Sequence, residues 1–254
     1  MREVKGIQSK DRVQKHGEVF TPDSIVNDML DLVDEELKPD ASKVWEYVDT
    51  TYLEPACGDG NFLIRILDRK LGVAHENLPK EQWNLALIHA LCSMYAVDIQ
   101  LDNVIETRNR LTDLIINGTT TVLELEGKEK QGFHFYDYSE SYENLKDIIK
   151  SILESNIVNG NCLTGKLGES NVSESTDDSV SDIIFNEYHW DADHENLTVV
   201  EKYLLSKQQI GGGITSDDVP YAKPYKITYK ELSNLSSLKS APETTDNDTY
   251  DDDF

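Results

Sequence analysis

Residues 52–63, Tyr-Leu-Glu-Pro-Ala-Cys-Gly-Asp-Gly-Asn-Phe-Leu, place a strand end, a glycine turn and a helix start in immediate succession. Tyr52 and Leu53 suit a strand, and Pro55, which has no backbone N–H, forbids a continuing central ladder. Gly58 and Gly60 allow positive φ and a close approach between backbone and ligand. Asn61 or Asp59 can then cap a helix whose apolar positions Phe62, Leu63, Ile66 and Leu67 recur at helical spacing. Such a helix points its unpaired N–H groups at whatever occupies the turn, so the stretch marks a cofactor site in an α/β fold. A lone Gly-x-Gly is weak evidence; the complete phrase carries the inference.

The flanking chain supplies elements of the same kind. Gly17 punctuates Lys15-His16-Gly17-Glu18-Val19-Phe20-Thr21-Pro22, where Thr21 reads as an N-cap and Pro22 as the first helical residue. Ile25, Val26, Met29, Leu30, Leu32, Val33 and Leu37 would form one apolar helix face, stopped by Pro39. Residues 68–84 are polar, with Gly72 and Pro79, and read as an insertion or surface loop. A buried helix is expected from Trp83 to Leu91, then a strand over 93–99 that ends in Asp98, then a helix from Leu101 through Leu111. An acid at the carboxyl end of a strand in a doubly wound sheet can accept hydrogen bonds from both ribose hydroxyls, although an isolated one is ordinarily just solvated. Residues 142–153 read as a helix and 156–164 as a third strand with its terminal loop.

Beyond residue 165 the character changes. Residues 166–182 are rich in Ser, Glu, Asp and Gly, as in a flexible acidic loop. Residues 183–190 are strand-like, 197–205 read as a short helix, Gly211-Gly212-Gly213 breaks order, and 225–229 suits a small strand. His189 and His194 lie near Asp191 and Asp193, a short cluster that in a polar segment is more often solvated surface than a ligand set. Three cysteines without Cys-x-x-Cys spacing suggest neither a zinc site nor a disulfide framework, so no metal is expected. The aromatic group at 133–138 suits packing better than base stacking, given the acids around it.

The phrase from Glu54 to Leu63 resembles the S-adenosylmethionine-binding loop of the amino-group DNA methyltransferases, chiefly the adenine-N6 type. Gly17 to Pro22 resembles the segment that precedes this loop in that family, and Ala96-Val97-Asp98-Ile99 resembles its second motif. The resemblance covers about residues 16–165 and implies a Rossmann-like class I methyltransferase fold, incomplete or with a diverged C-terminal part. It divides the chain into an arm (1–15), a cofactor-binding core (16–165), a diverged region (166–240) and an acidic tail (241–254). It also implies a cofactor site built from Phe20, Thr21, Glu54, Ala56, Gly58, Gly60, Asp98, Ile99 and Asn161. At Asn161 the family usually has an aspartate that accepts from the cofactor's adenine amino group; an Asn carbonyl can accept the same bond without the charge. The family's Asn-Pro-Pro-Tyr loop, which accepts the amine hydrogens of the extruded adenine, is absent from the chain. Asn186-Glu187-Tyr188 follows the right kind of strand but lacks proline. Asp218-Val219-Pro220-Tyr221 has suitable residue types but follows a glycine-rich loop.

Charge bears on partners. With 48 acidic against 24 basic residues the formal net charge is −24, and no basic run offers itself to DNA phosphates. The leading expectation is therefore a protein that binds S-adenosylmethionine and whose methyl transfer to DNA is lost or requires a partner subunit. The alternative is an acidic, non-catalytic interaction protein, a DNA mimic or regulatory subunit, that engages a basic DNA-handling enzyme. A third reading, consumption of S-adenosylmethionine without transfer to DNA, has no acid/base pair to support it. The polar amino terminus and the lack of a long apolar run suggest a cytoplasmic protein with no membrane partner.

Overall fold

The computed structural model describes residues 21–37, 41–117, 141–168, 182–204 and 225–234. Its elements are α1 (Asp23–Leu37), α2 (Val44–Asp49), β1 (Tyr52–Glu54), α3 (Asn61–Asn77), α4 (Trp83–Cys92), β2 (Met94–Asp98), α5 (Leu101–Asn117), α6 (Ser141–Asn156), β3 (Ile157–Asn161), β4 (Lys166–Leu167), β5 (Ile184–Trp190), β6 (Asn196–Tyr203) and β7 (Tyr225–Thr228). The architecture is mixed α/β. One sheet has the order β1-β2-β3-β4, and a second, three-stranded sheet has the order β5-β6-β7. In the first, β1, β2 and β3 run parallel, with Glu54 opposite Ala96 and Asp98 opposite Asn159, and β4 returns antiparallel. Helices fill both parallel crossovers, as such connections require. Among the described residues, no helix is long and apolar enough to cross a membrane.

β2 is the buried axis of this arrangement, and all five of its residues are buried. Met94 and Ala96 join the main core with Leu63, Leu67, Leu87 and Leu91, while Tyr95 and Val97 pack with Ile183 and Phe185. The Tyr95 hydroxyl donates to the Asn186 carbonyl at 2.8 Å, which ties the two sheets together. α4 is apolar nearly all round and buried from Ala86 to Cys92, as such a composition requires. Lys70 of α3 is 1% exposed, and its ammonium donates to Val48 O at 2.7 Å, Thr50 O at 2.5 Å and Ser93 Oγ at 2.5 Å. It thereby joins α3 to the end of α2 and the entrance of β2.

Three expectations need correction. Residues 68–77 are not a surface loop but the continuation of α3, because Leu71 and Ala74 extend the buried stripe of Leu63 and Leu67 and Gly72 is tolerated in a helix interior. Residues 196–203 form a strand rather than a helix: Leu197 and Val199 alternate inward, and the β-branched Thr198, Val199 and Val200 favour a pleated surface. On α1 only Val26 and Leu30 are buried, whereas Ile25, Met29 and Leu32 are about half exposed or more. That helix meets α3 along one narrow stripe, fixed by Arg69 of α3 reaching Asp31 and Asp34. The strands expected at 93–99, 156–164, 183–190 and 225–229 are all present as β2, β3, β5 and β7.

Gly160 in β3 has no room for a side chain, since a Cβ there would lie 2.5 Å from Lys166 O and 2.6 Å from Ile183 Cδ1. The nearer atom is backbone and cannot rotate away. Gly160→Ala is therefore expected to lower stability by about 1–3 kcal/mol, the usual cost of overpacking, read as a reduced urea midpoint. An unchanged midpoint would show that the β3–β4 turn relaxes freely.

Candidate functional site

The loop between β1 and α3 is held by hydrogen bonds from both sides. The Cys57 amide donates to Val97 O at 3.0 Å, the Gly60 amide to Cys57 O at 2.8 Å, and the Ile64 amide to Gly60 O at 2.9 Å, opening the helix. Gly58 and Gly60 both adopt positive φ, +54° and +87°. The Gly58 amide donates to Asp98 Oδ2 at 2.8 Å, so the glycine turn and the acid at the end of β2 meet directly. Asp98 Oδ1 in turn accepts from the Gln100 amide at 2.8 Å and from Asn103 Nδ2 at 3.2 Å, which fixes the start of α5.

One face of α5 backs the loop. Thr107 Oγ1 donates to Gly58 O at 3.0 Å, and Arg110 Nη1 donates to Asp59 O at 2.6 Å while pairing with its carboxylate at 2.7 Å. Asn103, Thr107 and Arg110 were not among the sequence candidates. Their signal is the spacing, four residues and then three, which places polar side chains on one helix face toward the loop.

The other candidates fall as follows. Phe20 lies outside the described residues. Thr21 precedes α1 by two positions, and its carbonyl accepts from Asn61 Nδ2 at 3.1 Å, joining the first segment to the loop. Glu54 Oε1 accepts from the Ala56 amide at 3.2 Å; burial raises its pKa, and the charge of Asp98 adds to the rise. The Asp98 and Ile99 carbonyls each accept from Asn159 Nδ2 at 3.0 Å, so β3 braces the end of β2. Asn161 is 5% exposed, and its Oδ1 accepts from the Leu163 amide at 2.9 Å within the turn after β3. Glu54, Asp98 and Asn161 thus stand at the carboxyl ends of three adjacent parallel strands.

Two thiols lie at this end. Burial, with the nearby charge of Asp98, pushes Cys57 up to about 12, so it remains a thiol and is no nucleophile at neutral pH. Cys162 is raised too, by burial and then by the charge of Glu54.

The segment that resembled a base-binding loop lies elsewhere. Asn186 is 1% exposed and sits inside β5 opposite Glu201, within the antiparallel sheet. Residues 218–221 lie outside the described residues. The two hairpin histidines separate: His189 lies at the surface beside Glu187 at 2.9 Å, whereas His194 turns inward and stacks on Trp45 with ring centroids 4.3 Å apart. The expectation of a solvated cluster therefore suits His189, Asp191 and Asp193 but not His194.

No family model, curated protein or solved structure matches this chain.

Proposed function

We propose that the chain binds S-adenosylmethionine at the carboxyl ends of β1, β2 and β3, in a Rossmann-like fold of the class I methyltransferase type. The observation that carries this reading is the 2.8 Å hydrogen bond from the Gly58 amide to Asp98, which unites the two motifs that resemble the family's cofactor loop and ribose acid. The residues fit the cofactor in kind. Asp98 would accept from the ribose, Glu54 and the α3 amino terminus would face the methionine end, and Asn161 would take the adenine edge. When bound, the cofactor supplies an electrophilic methyl group on a sulfonium. The chain's own residues bind and orient it, with Asp98 also holding Gly58, Gln100 and Asn103 in place.

Calorimetric titration with S-adenosylmethionine tests the reading. Wild type should give a one-site isotherm, and Asp98→Ala should bind at least about tenfold more weakly, as for loss of a charge-assisted hydrogen bond. Absence of an isotherm in wild type would overturn it.

A second reading concerns the use made of the bound cofactor. The position of Asn186 inside an antiparallel strand, together with a net charge of −24, favours a protein that needs a basic partner to reach DNA, or serves such a partner as an acidic scaffold. Methyl incorporation into DNA by this chain alone would contradict both forms of that reading.

A further inference from the structure

We propose that Asp49, His89 and His194 form a divalent-metal site, best suited to zinc, that clips the β5–β6 hairpin onto the core. The three residues come from the last position of α2, from the interior of α4 and from the hairpin turn, and one ligand atom of each lies within 4.8 Å of the other two. His89 is fully buried, with Nδ1 2.7 Å from Asp49 Oδ1 and Nε2 2.9 Å from the His194 carbonyl. His194 Nδ1 is buried without a hydrogen-bond partner. An orphaned imidazole nitrogen beside a carboxylate and a second imidazole is a donor set in want of an acceptor of lone pairs.

The geometry suits zinc. Bonds of about 2.0–2.1 Å put tetrahedral ligands roughly 3.3 Å apart; here His89 Nδ1 stands 2.7 Å from Asp49 Oδ1, and one ligand atom of each of the three residues lies within 4.8 Å of the others. The second shell is already present: a ligating histidine usually donates its other N–H to a carbonyl or carboxylate, as His89 Nε2 does to His194 O. Both nitrogens of His89 face oxygen atoms, Nδ1 that of Asp49 and Nε2 the His194 carbonyl. Metal binding at Nδ1 would leave the Nε2–H bond to His194 O intact. Indole rings enclose the site, with Trp190 stacked on His89 at 3.6 Å between centroids and Trp45 on His194 at 4.3 Å. The Asp49 side chain, 33% exposed, leaves a way in for the ion and a water as fourth ligand.

His194 is also the one non-glycine residue with positive φ, 59°, among those described. A left-handed residue costs about 1–2 kcal/mol outside glycine and its few tolerant substitutes, and here it directs the imidazole inward. Asp49 and His89 precede β1 and β2, at the end of the sheet opposite the glycine loop. The site is therefore separate from the glycine loop and does not depend on the proposed cofactor.

Cobalt(II) titration of chelator-treated full-length protein tests the proposal. Wild type should bind one equivalent, with the intense visible bands of tetrahedral cobalt, lose them on addition of zinc, and melt at higher temperature with metal than without. His194→Asn, which keeps a residue tolerant of left-handed φ, should weaken binding at least tenfold. His189→Asn should leave it unchanged. Should His194→Asn fail to fold, Asp49→Asn is read in the same way. Unsaturable binding without tetrahedral bands, or equal affinity in wild type and His194→Asn, would overturn the proposal.

Discussion

Gly60→Ala should cost about 2–4 kcal/mol of stability and abolish S-adenosylmethionine binding. Two effects add. A left-handed backbone at φ +87° charges an L residue about 1–2 kcal/mol, and the new Cβ would lie 2.8 Å from Thr107 Cγ2 and 2.9 Å from its Oγ1. Thr107 is fully buried and β-branched, so it has little freedom to move aside. Displacing it would break its bond to Gly58 O and pull the loop from Asp98. Urea denaturation and calorimetry on the same samples measure both losses. The double variant Gly60→Ala/Thr107→Ser removes the clashing methyl group but keeps the hydroxyl 2.9 Å away, so it should recover only part of the steric loss. If Gly60→Ala bound the cofactor as wild type does, the loop's conformation would be irrelevant to the site.

Lys70→Met should lower stability by about 2–4 kcal/mol, because methionine fills the space of the aliphatic stem but leaves the acceptors of a buried ammonium without their donor. Ser93 Oγ still reaches Val48 O at 3.0 Å, so Thr50 O is the acceptor most affected. The effect has a pH signature. Burial holds the Lys70 pKa down to about 7 from its ordinary 10.5. Between those values the unfolded chain binds more protons at this position than the native one, so the native state gains stability as pH rises. The penalty for burying the charge is full below pH 7 and fades toward pH 10.5. Denaturation at pH 7 and pH 9 should therefore show the gap between wild type and Lys70→Met widening at the higher pH. A gap independent of pH would mean that Lys70 keeps its proton throughout.

The parallel sheet was legible because each of its strands is announced locally. The run Met94 to Asp98 is apolar until its final acid, and the glycine turn after β1 needs no distant residue to be recognised. Asp98 and Gly58 could be paired on paper since both belong to strand ends. Asn103, Thr107 and Arg110 could not be singled out, because their polar spacing gains meaning only when α5 is known to lie against the loop. Residues 196–203 misled for a similar reason: Leu197, Val200 and Leu204 fit a helical period as well as a strand's, and only pairing with β5 decides between them. His89 looked like one more residue of an apolar helix. Its partners lie 40 and 105 positions away in the chain, beyond the reach of any local pattern.

The ring stack around His89 also governs how this protein can be watched. The chain has three tryptophans, and two of them, Trp45 and Trp190, stand on the histidines that join the hairpin to the core, while Trp83 lies against His75 with ring centroids 4.2 Å apart. Intrinsic fluorescence is thus weighted toward the docking of one hairpin rather than the integrity of the whole. An emission change that precedes the loss of helical circular dichroism would report hairpin release, and a single unfolding free energy should be drawn only where the two signals coincide.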